Sequence, residues 1–272
     1  MIGTSSLGAL LGRGRTAEVY AWDVGRIVKL YLQGWPEDTV RYEEKMALLV
    51  NDAGLAAPRF YGRVEVNGRQ GLIYERVDGP SMLRQMAAKP WLLGLYARQF
   101  AALHITLHAC QRSQLRSQKE GFRRQIARAD ALSAEQKARL GAYLDGLPDG
   151  QAVCHGDFHP DNILMAARGP VVIDWMTASG GNPMGDVART WVIFSAGGGP
   201  FGKSRLQLAA INSLRQAFLR AYLRAYWRLG GGSPEEMEAW ISPVAAARLA
   251  ERVPGEAPHL LEMITRRLAA IS

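Results

Sequence analysis

The stretch His155-Gly156-Asp157-Phe158-His159-Pro160-Asp161-Asn162-Ile163-Leu164, HGDFHPDNIL, is followed seven residues later by VVIDW at Val171–Trp175. Apolar runs at Ala152–His155, Ile163–Met165 and Val171–Trp175 read as short strands, which places Asp157 and Asn162 five residues apart in the loop between the first two. Asp174 ends the third, twelve residues after Asn162. The spacing supplies one carboxylate to sit beside a hydroxyl and two oxygen ligands for Mg²⁺, the set that phosphoryl transfer to an alcohol requires. Mg²⁺ is a hard cation, better served by an amide carbonyl and a carboxylate than by His or Cys. One Asp, Asn or Gly in a loop is an ordinary turn residue; this ordered set is not. His155 is expected to orient the loop by hydrogen bonding, since Asp157 holds the place of the proton acceptor.

Toward the N-terminus the chain reads as a β-meander, with strands at Leu7–Leu11, Glu18–Trp22 and Arg26–Tyr31 and turn chemistry at Gly12, Gly14 and Asp23-Val24-Gly25. Pro36, Glu37 and Asp38 start a helix whose acids face the positive end of its macrodipole; it runs to about Asp52 before Gly54 and Pro58 stop it. Strands at Phe60–Val66 and Gln70–Glu75 flank the hairpin pair Asn67-Gly68. Asp78-Gly79-Pro80 breaks the pattern, and Ser81 is placed to cap a new helix. Beyond it the periodicity is mainly helical: Trp91–Cys110, about Ser117–Ala129, and Ser133–Leu144, where Ser133 and Gln136 have capping-box spacing. After Asp186 everything reads as helix, interrupted at a glycine run, at Gly230–Gly232 and near Pro254. The expectation is an α+β fold, with an antiparallel β-sheet lobe carrying one helix at residues 1–77 and a larger, mainly α-helical lobe at 78–272.

A chain of 272 residues, 48% hydrophobic and 21% charged, buries a substantial core as one large domain or two lobes. Its 33 Lys and Arg against 25 Asp and Glu give a net +8, which suits a polyanion: nucleic acid, a membrane surface or a nucleoside triphosphate. Arg112, Arg116, Arg123, Arg124 and Arg128 recur at helical spacing among polar residues and read as a solvated face, so no nucleic-acid partner is expected. Cys110 and Cys154 are too few for a disulfide framework, and a reducing cytoplasmic setting is expected. No basic segment precedes the apolar N-terminal stretch and nowhere do 18 apolar residues run together, so neither a signal peptide nor a membrane span is expected. His104 and His108, four apart on one helix, have no third metal ligand in view and read as packing or hydrogen-bonding groups.

Gly197–Ser204, GGGPFGKS, spells the phosphate-cradling loop G-x-x-x-x-G-K-S/T letter for letter. Such a loop needs a strand to deliver it, a helix to begin at its end and a parallel sheet around it. Apolar Trp191–Phe194 precedes the run and VVID imitates a metal-binding partner strand, but no convincing strand follows Ser204. An interhelical loop is therefore expected there.

At HGDFHPDNIL the sequence resembles the aminoglycoside phosphotransferase and choline kinase family, the small-molecule branch of the protein-kinase-like superfamily. That family's catalytic loop, H-G-D-x-H-x-x-N, is matched by His155, Gly156, Asp157, His159 and Asn162. The resemblance covers most of the chain and implies a bilobal protein-kinase-like fold and an ATP-dependent phosphotransferase that moves the γ-phosphoryl of ATP to a hydroxyl of a small molecule. It implies ATP and Mg²⁺, with Asp157 catalytic and Asn162 and Asp174 holding the metal. Lys29 of IVKLY is implied on the α- and β-phosphates, oriented by Glu44, which register against the helix and Pro58 favours over Glu43. Gly12 and Gly14 of GRGRTAEVY are implied over the phosphates, and the backbone around Glu75 and Val77 of YERVDG on adenine. An Asp placed like Asp186 starts a helix in this family and supports the catalytic loop, so residues 186–195 are expected to be helical.

Departures from the protein-kinase pattern favour a small-molecule acceptor. Ala17 stands where a third glycine is usual, Asp174-Trp175-Met176 replaces D-F-G, and only a short segment without A-P-E leads to GNPMGD. The acceptor is expected against the helices after Asp186, where Trp191, Tyr222, Tyr226, Trp227 and Trp240 offer aromatic surface and Glu235, Glu236 and Glu238 negative charge. Acids suit a polycationic aminoglycoside, and aromatic rings suit a quaternary ammonium. Choline, homoserine or a sugar-type metabolite stand as alternative acceptors. A catalytically silent nucleotide-binding module and a basic nucleic-acid-binding protein are the readings from other classes.

Overall fold

The structure, a computed structural model, describes residues 7–112, 114–197 and 204–269. Among these residues the strands are β1 (Leu10–Arg13), β2 (Ala17–Ala21), β3 (Arg26–Tyr31), β4 (Phe60–Val66), β5 (Arg69–Glu75), β6 (Ala152–Cys154), β7 (Ile163–Ala166), β8 (Gly169–Val172) and β9 (Ser179–Gly181). The helices are α1 (Glu37–Asp52), α2 (Met82–Ala88), α3 (Leu93–Ala109), α4 (Gln118–Ala127), α5 (Ala134–Gly146), α6 (Pro183–Ala196), α7 (Arg205–Arg228), α8 (Pro234–Leu249) and α9 (Ala257–Leu268). The chain divides into two compact units: residues up to Gln85 with Pro160–Thr177, and Met86–His159 with the residues from Ala178 on.

The first unit is built on an antiparallel sheet in the order β1-β2-β3-β5-β4. Asn67 (φ 51°) and Gly68 (φ 72°) form the two-residue β4–β5 turn, whose geometry needs positive φ at both positions. The first strand lies at Leu10–Arg13, later than the expected Leu7–Leu11, because Gly14 N–H donates to Ala17 O at 2.8 Å and closes a tight turn. Gly12 is thus part of a strand, paired with Val19. Helix α1 buries Val40, Glu43, Met46, Ala47 and Val50, three or four apart, so a single stripe faces inward. That stripe meets Ala17, Tyr31, Leu72 and Tyr74 in the core, with Trp35, Phe60 and Met176 packed against it. Each large apolar side chain so buried stabilises by roughly 1.5–3 kcal/mol.

The hairpin β7–β8 belongs to this unit, although residues 160–177 fall within the sequence-based second lobe and the sequence boundary after Val77 precedes the structural division at Gln85. The physical reason is backbone pairing: Val172 N–H donates to Ala56 O at 2.7 Å and Met165 N–H to Pro80 O at 2.9 Å. Met176, in the short 3₁₀ turn after β8, then enters the sheet's core.

The second unit is mainly helical, with β6 and β9 paired antiparallel. Every residue from Trp240 to Leu249 of α8 is buried, so this helix is its central rod rather than a surface element. Ser133 and Gln136 form the expected capping box of α5. The Gly197–Ser204 run follows a helix, α6, and not a strand; Ser204 then caps α7 in a second capping box with Gln207. The delivery that a phosphate-cradling loop needs is therefore missing. Residues 198–203, including Lys203, lie outside the described residues.

Candidate active site

In the first unit, β3 points Lys29 at two carboxylates. Lys29 Nζ donates to Glu43 Oε1 at 2.7 Å, to Glu43 Oε2 at 2.9 Å and to Asp174 Oδ1 at 2.8 Å. Burial alone would push the ammonium's pKa down, but Glu43 and Asp174 more than offset it and hold the group above its ordinary value. The expected partner, Glu44, is not the one used. Each residue advances 100° around a helix, so Glu43 shares the inward stripe with Val40, Ala47 and Val50, while Glu44 turns toward Arg63 Nη1, 3.9 Å away. Glu43 is further held by the hydroxyls of Tyr31 and Tyr74, both donating to its carboxylate. Burial first, and the negative field of Glu43 second, push both phenols well above their usual range and keep them protonated donors. Glu43→Gln is expected to cut kcat/KM for ATP about tenfold or more, while Glu44→Gln changes it less than about twofold, as steady-state kinetics will show.

The strand expected to end at Asp174 stops at Val172, and Asp174 stands beyond it with φ 64°. A left-handed conformation in a non-glycine residue costs of order 1 kcal/mol or more and concentrates at functional sites. Asp174 is also exposed, 42% for the side chain, apart from its bond to Lys29. Ile173 N–H donates to Asn162 O at 2.9 Å, which holds Asn162 and Asp174 side by side at the open end of the β7–β8 hairpin. Ser81 Oγ donates to Asp161 Oδ1 at 2.6 Å, pinning the short 3₁₀ turn Pro160–Asn162 that leads into β7. The Glu75 side chain is committed elsewhere, accepting from Arg168 Nη2 at 2.9 Å and from Arg59 N–H at 3.1 Å, and its N–H donates to Arg59 O at 2.8 Å, so the carbonyl is the group to consider for a nucleotide. Val77 lies two residues past β5.

In the second unit, a buried polar network holds the loop bearing Asp157. Asp186 Oδ2 accepts from His155 N–H at 2.6 Å and Oδ1 from Gly156 N–H at 2.8 Å. Gly156 has φ 77°, a conformation that favours glycine at this sharp turn. On its other side, Asp186 Oδ2 lies 3.1 Å from His104 Nε2 and 3.3 Å from His108 Nε2. Tyr222 OH and Tyr226 OH sit at 2.8 and 2.6 Å from the Nδ1 atoms of the two histidines. Every ring nitrogen is thereby used, with each Tyr donating to Nδ1 and each Nε2–H donating to Asp186. Asp186 is the third partner that the sequence reading of His104 and His108 lacked, and the trio is close enough to hold a cation. The completed hydrogen bonding accounts for it without one. Arg189 Nε donates to Gly156 O at 3.0 Å and Thr190 Oγ1 to Phe158 O at 2.9 Å, fixing the same loop from α6.

Asp157 itself lies 3.3 Å from His159 Nε2. Burial pushes its pKa up, but the hydrogen bond from His159 and the positive fields of His159, Arg189 and His155 outweigh it, leaving the carboxyl well below its usual range and ionised. His104 is the reverse case: burial, helped by His108, pushes its pKa down to about 3 against the pull of Asp186. Unfolded, the same imidazole titrates near 6.5. Below that value the unfolded chain binds a proton that the native state refuses, so stability falls as pH falls, by up to about 1.4 kcal/mol per unit. Asp186, whose carboxyl is depressed, adds stability that is complete above about pH 4 and is lost as pH drops through its folded value. Urea midpoints should report a loss of about 2 kcal/mol between pH 7 and pH 5, and His104→Gln should flatten that slope.

The residues expected to form the acceptor surface are largely spent. Tyr222, Tyr226 and Trp240 are buried, the two tyrosines on histidines. Glu236 closes the capping box of α8 with Ser233, and Glu238 accepts from Arg267 Nε at 2.6 Å. The guanidinium of Arg267 also lies 5.5 Å from the ring centre of Trp191. Trp191 and Trp227 alone of the five rings keep part of their surface accessible.

Residues 9–240 match the model of the phosphotransferase enzyme family. The chain belongs to that family. The phosphotransferase has the fold of an aminoglycoside-3'-phosphotransferase of type VIII, with 21% identity, coverage of 89% of this chain and 92% of that one, and a TM-score of 0.60. It is similarly close to aminoglycoside phosphotransferase APH(3'')-Id from Streptomyces rimosus, at 18% identity, 85% and 89% coverage and a TM-score of 0.57. Macrolide 2'-phosphotransferase MphH from Brachybacterium faecium matches at 20% identity, 92% and 89% coverage and a TM-score of 0.52. No curated protein matches the phosphotransferase significantly in sequence.

Proposed function

We propose that the protein is an ATP-dependent kinase that moves the γ-phosphoryl of ATP to a hydroxyl of a small molecule. The observation that carries this is Lys29 bridging Glu43 and Asp174 on a fold whose family is phosphotransferase. The nucleotide is assigned to residues 1–77, under Gly12 and Gly14, with adenine on the backbone of Glu75 and Val77 and Lys29 on the α- and β-phosphates. The acceptor is assigned to residues 78–272. Asn162 and Asp174 fit Mg²⁺, since both offer oxygen donors and the Asp174 carboxylate is exposed. Bound there, the ion neutralises charge on the phosphate oxygens.

In this reading Asp157, kept ionised by His159 and Arg189, accepts a hydrogen bond from the acceptor hydroxyl and takes its proton as the oxygen attacks phosphorus. Asp186 holds the peptide N–H groups that aim Asp157, and Glu43 holds Lys29, so most of the rate gain comes from positioning and charge stabilisation. No helix among the described residues is long and apolar enough to cross a membrane. A cytoplasmic site of action agrees with the two unpaired cysteines.

ADP release with Mg²⁺ and ATP across a panel of hydroxylated compounds tests the proposal. Acceptor-dependent release supports it, whereas ATP binding without turnover on any acceptor favours the silent module. A steep loss of polynucleotide affinity with salt would instead favour nucleic-acid binding. Lys203→Ala is expected to leave ATP affinity within about twofold, measured by equilibrium binding, because a helix and not a strand leads into its loop.

A further inference from the structure

The net charge is not shared evenly. Residues 1–85 with 160–177 hold 12 Lys and Arg and 12 Asp and Glu, whereas 86–159 with 178–272 hold 21 and 13, together making the 33 and 25 of the whole chain. The entire excess of +8 belongs to the unit that carries Asp157. Its carboxylates are, in addition, mostly neutralised in place. Glu238 pairs with Arg267, Glu262 with Arg266 and Glu256 with Arg248, while Glu251 pairs with both Arg189 and Arg248. Glu236 is fixed by its helix cap, and Asp186 is fully buried.

The field around Asp157 has the same sign. His159, Arg189 and His155 all lower its pKa, and Arg248 is close enough to sense its charge. Arg189 is 4% exposed, and its Nη1 is buried without a hydrogen-bond partner among the described residues, so Gly156 O and Glu251 do not consume all of its donors. A molecule with several ammonium groups would approach a positive unit with few free carboxylates to receive it, at a cost that grows with each charge.

We infer that the acceptor is a neutral or acidic hydroxy compound rather than a polyamine, an inference that rests on the phosphotransfer reading above for the placement of the acceptor at Asp157. Of the three acids that suited an aminoglycoside, Glu238 is held by Arg267 and Glu236 by the α8 cap, which leaves Glu235, exposed in the first turn of α8.

The test varies charge on one scaffold. Gentamicin and gentamicin with every amine acetylated carry the same hydroxyls, and kcat/KM for each is measured at saturating Mg²⁺ and ATP over a range of salt. Methyl glucuronide is run beside methyl glucoside as the anionic pair. The expected result is that acetylation raises kcat/KM about tenfold or more, that salt raises kcat/KM for the parent amine, and that salt lowers it for the glucuronide. A parent amine preferred about tenfold, with kcat/KM falling as salt rises, overturns the inference while leaving phosphotransfer intact. If no compound is phosphorylated, phosphotransfer itself fails on this panel. Calorimetric Kd values for the two gentamicin forms, on the enzyme with Mg²⁺ and a non-hydrolysable ATP analogue, then decide the charge inference: tighter binding of the acetylated form supports it, and tighter or equal binding of the amine overturns it.

Discussion

Asp157→Ala lowers kcat about 10³-fold or more and leaves the Kd for ATP within about threefold, because general-base assistance contributes roughly 10²–10⁴ while nucleotide contacts are assigned to other residues. The loop that carries Asp157 is fixed by its backbone, through His155 N–H and Gly156 N–H on Asp186 and Gly156 O on Arg189. Removing the side chain therefore leaves the loop's supports in place, and the loss is chemical rather than structural. Asp157→Asn keeps the size and a contact for His159 but not the basicity, so it should lose nearly as much. Single-turnover kinetics separate the two steps: unchanged ATP binding with a slowed transfer is the expected pattern. A variant that still turns over at more than about a tenth of the parent rate removes Asp157 from the role of proton acceptor.

Asp186→Ala has the larger effect on stability. The carboxylate is fully buried and serves four donors, two peptide N–H groups and two imidazoles. Each buried donor left without a partner costs about 1–3 kcal/mol, and breaking a buried charged network costs about 3–5 kcal/mol in all. For a chain of this size that lowers Tm by roughly 10 °C. Asp186→Asn, which keeps the volume, should lose less stability yet still reduce kcat, since its amide group presents N–H donors where donors already point. Calorimetry together with kinetics on the folded fraction checks both variants, and a kcat preserved in a destabilised Asp186→Asn protein means that the network supports the fold without aiming the loop.

Where an element rests on strong local chemistry, the sequence and structure agree closely. α1 begins at Glu37 and ends at Asp52, β3 and β4 match their runs, and the Asn67-Gly68 turn and the Ser133 cap are where turn and cap preferences put them. What failed was local ambiguity resolved by tertiary packing. Glu43 and Glu44 are chemically identical neighbours, and the decision between them lies in the phase of Val40, Ala47 and Val50, a signal that was present in the sequence and outweighed by alignment of register. β8 runs short of Asp174 because the chain there takes a left-handed turn, a conformation that aspartate tolerates better than most residues but does not require. β9 is only three residues long, two of them glycine, and exists by pairing with β6. The convergence of Lys29 on Asp174 was legible in outline. The Tyr222–His104 and Tyr226–His108 links, each 118 residues apart in the chain, were not, because nothing local relates them.

The two cysteines make the catalytic loop's supports open to a chemical clock. Cys154 ends β6, one residue before His155, and burial drives its thiol well above the usual range, so alkylating reagents find almost no thiolate there in the native state. Cys110, at the end of α3, is only half-buried. Once Cys110 is replaced by Ser, the rate at which maleimide captures Cys154 measures how often β6 lets go of its surroundings, and a bound acceptor or nucleotide that steadies the loop will be read as a slower rate of capture.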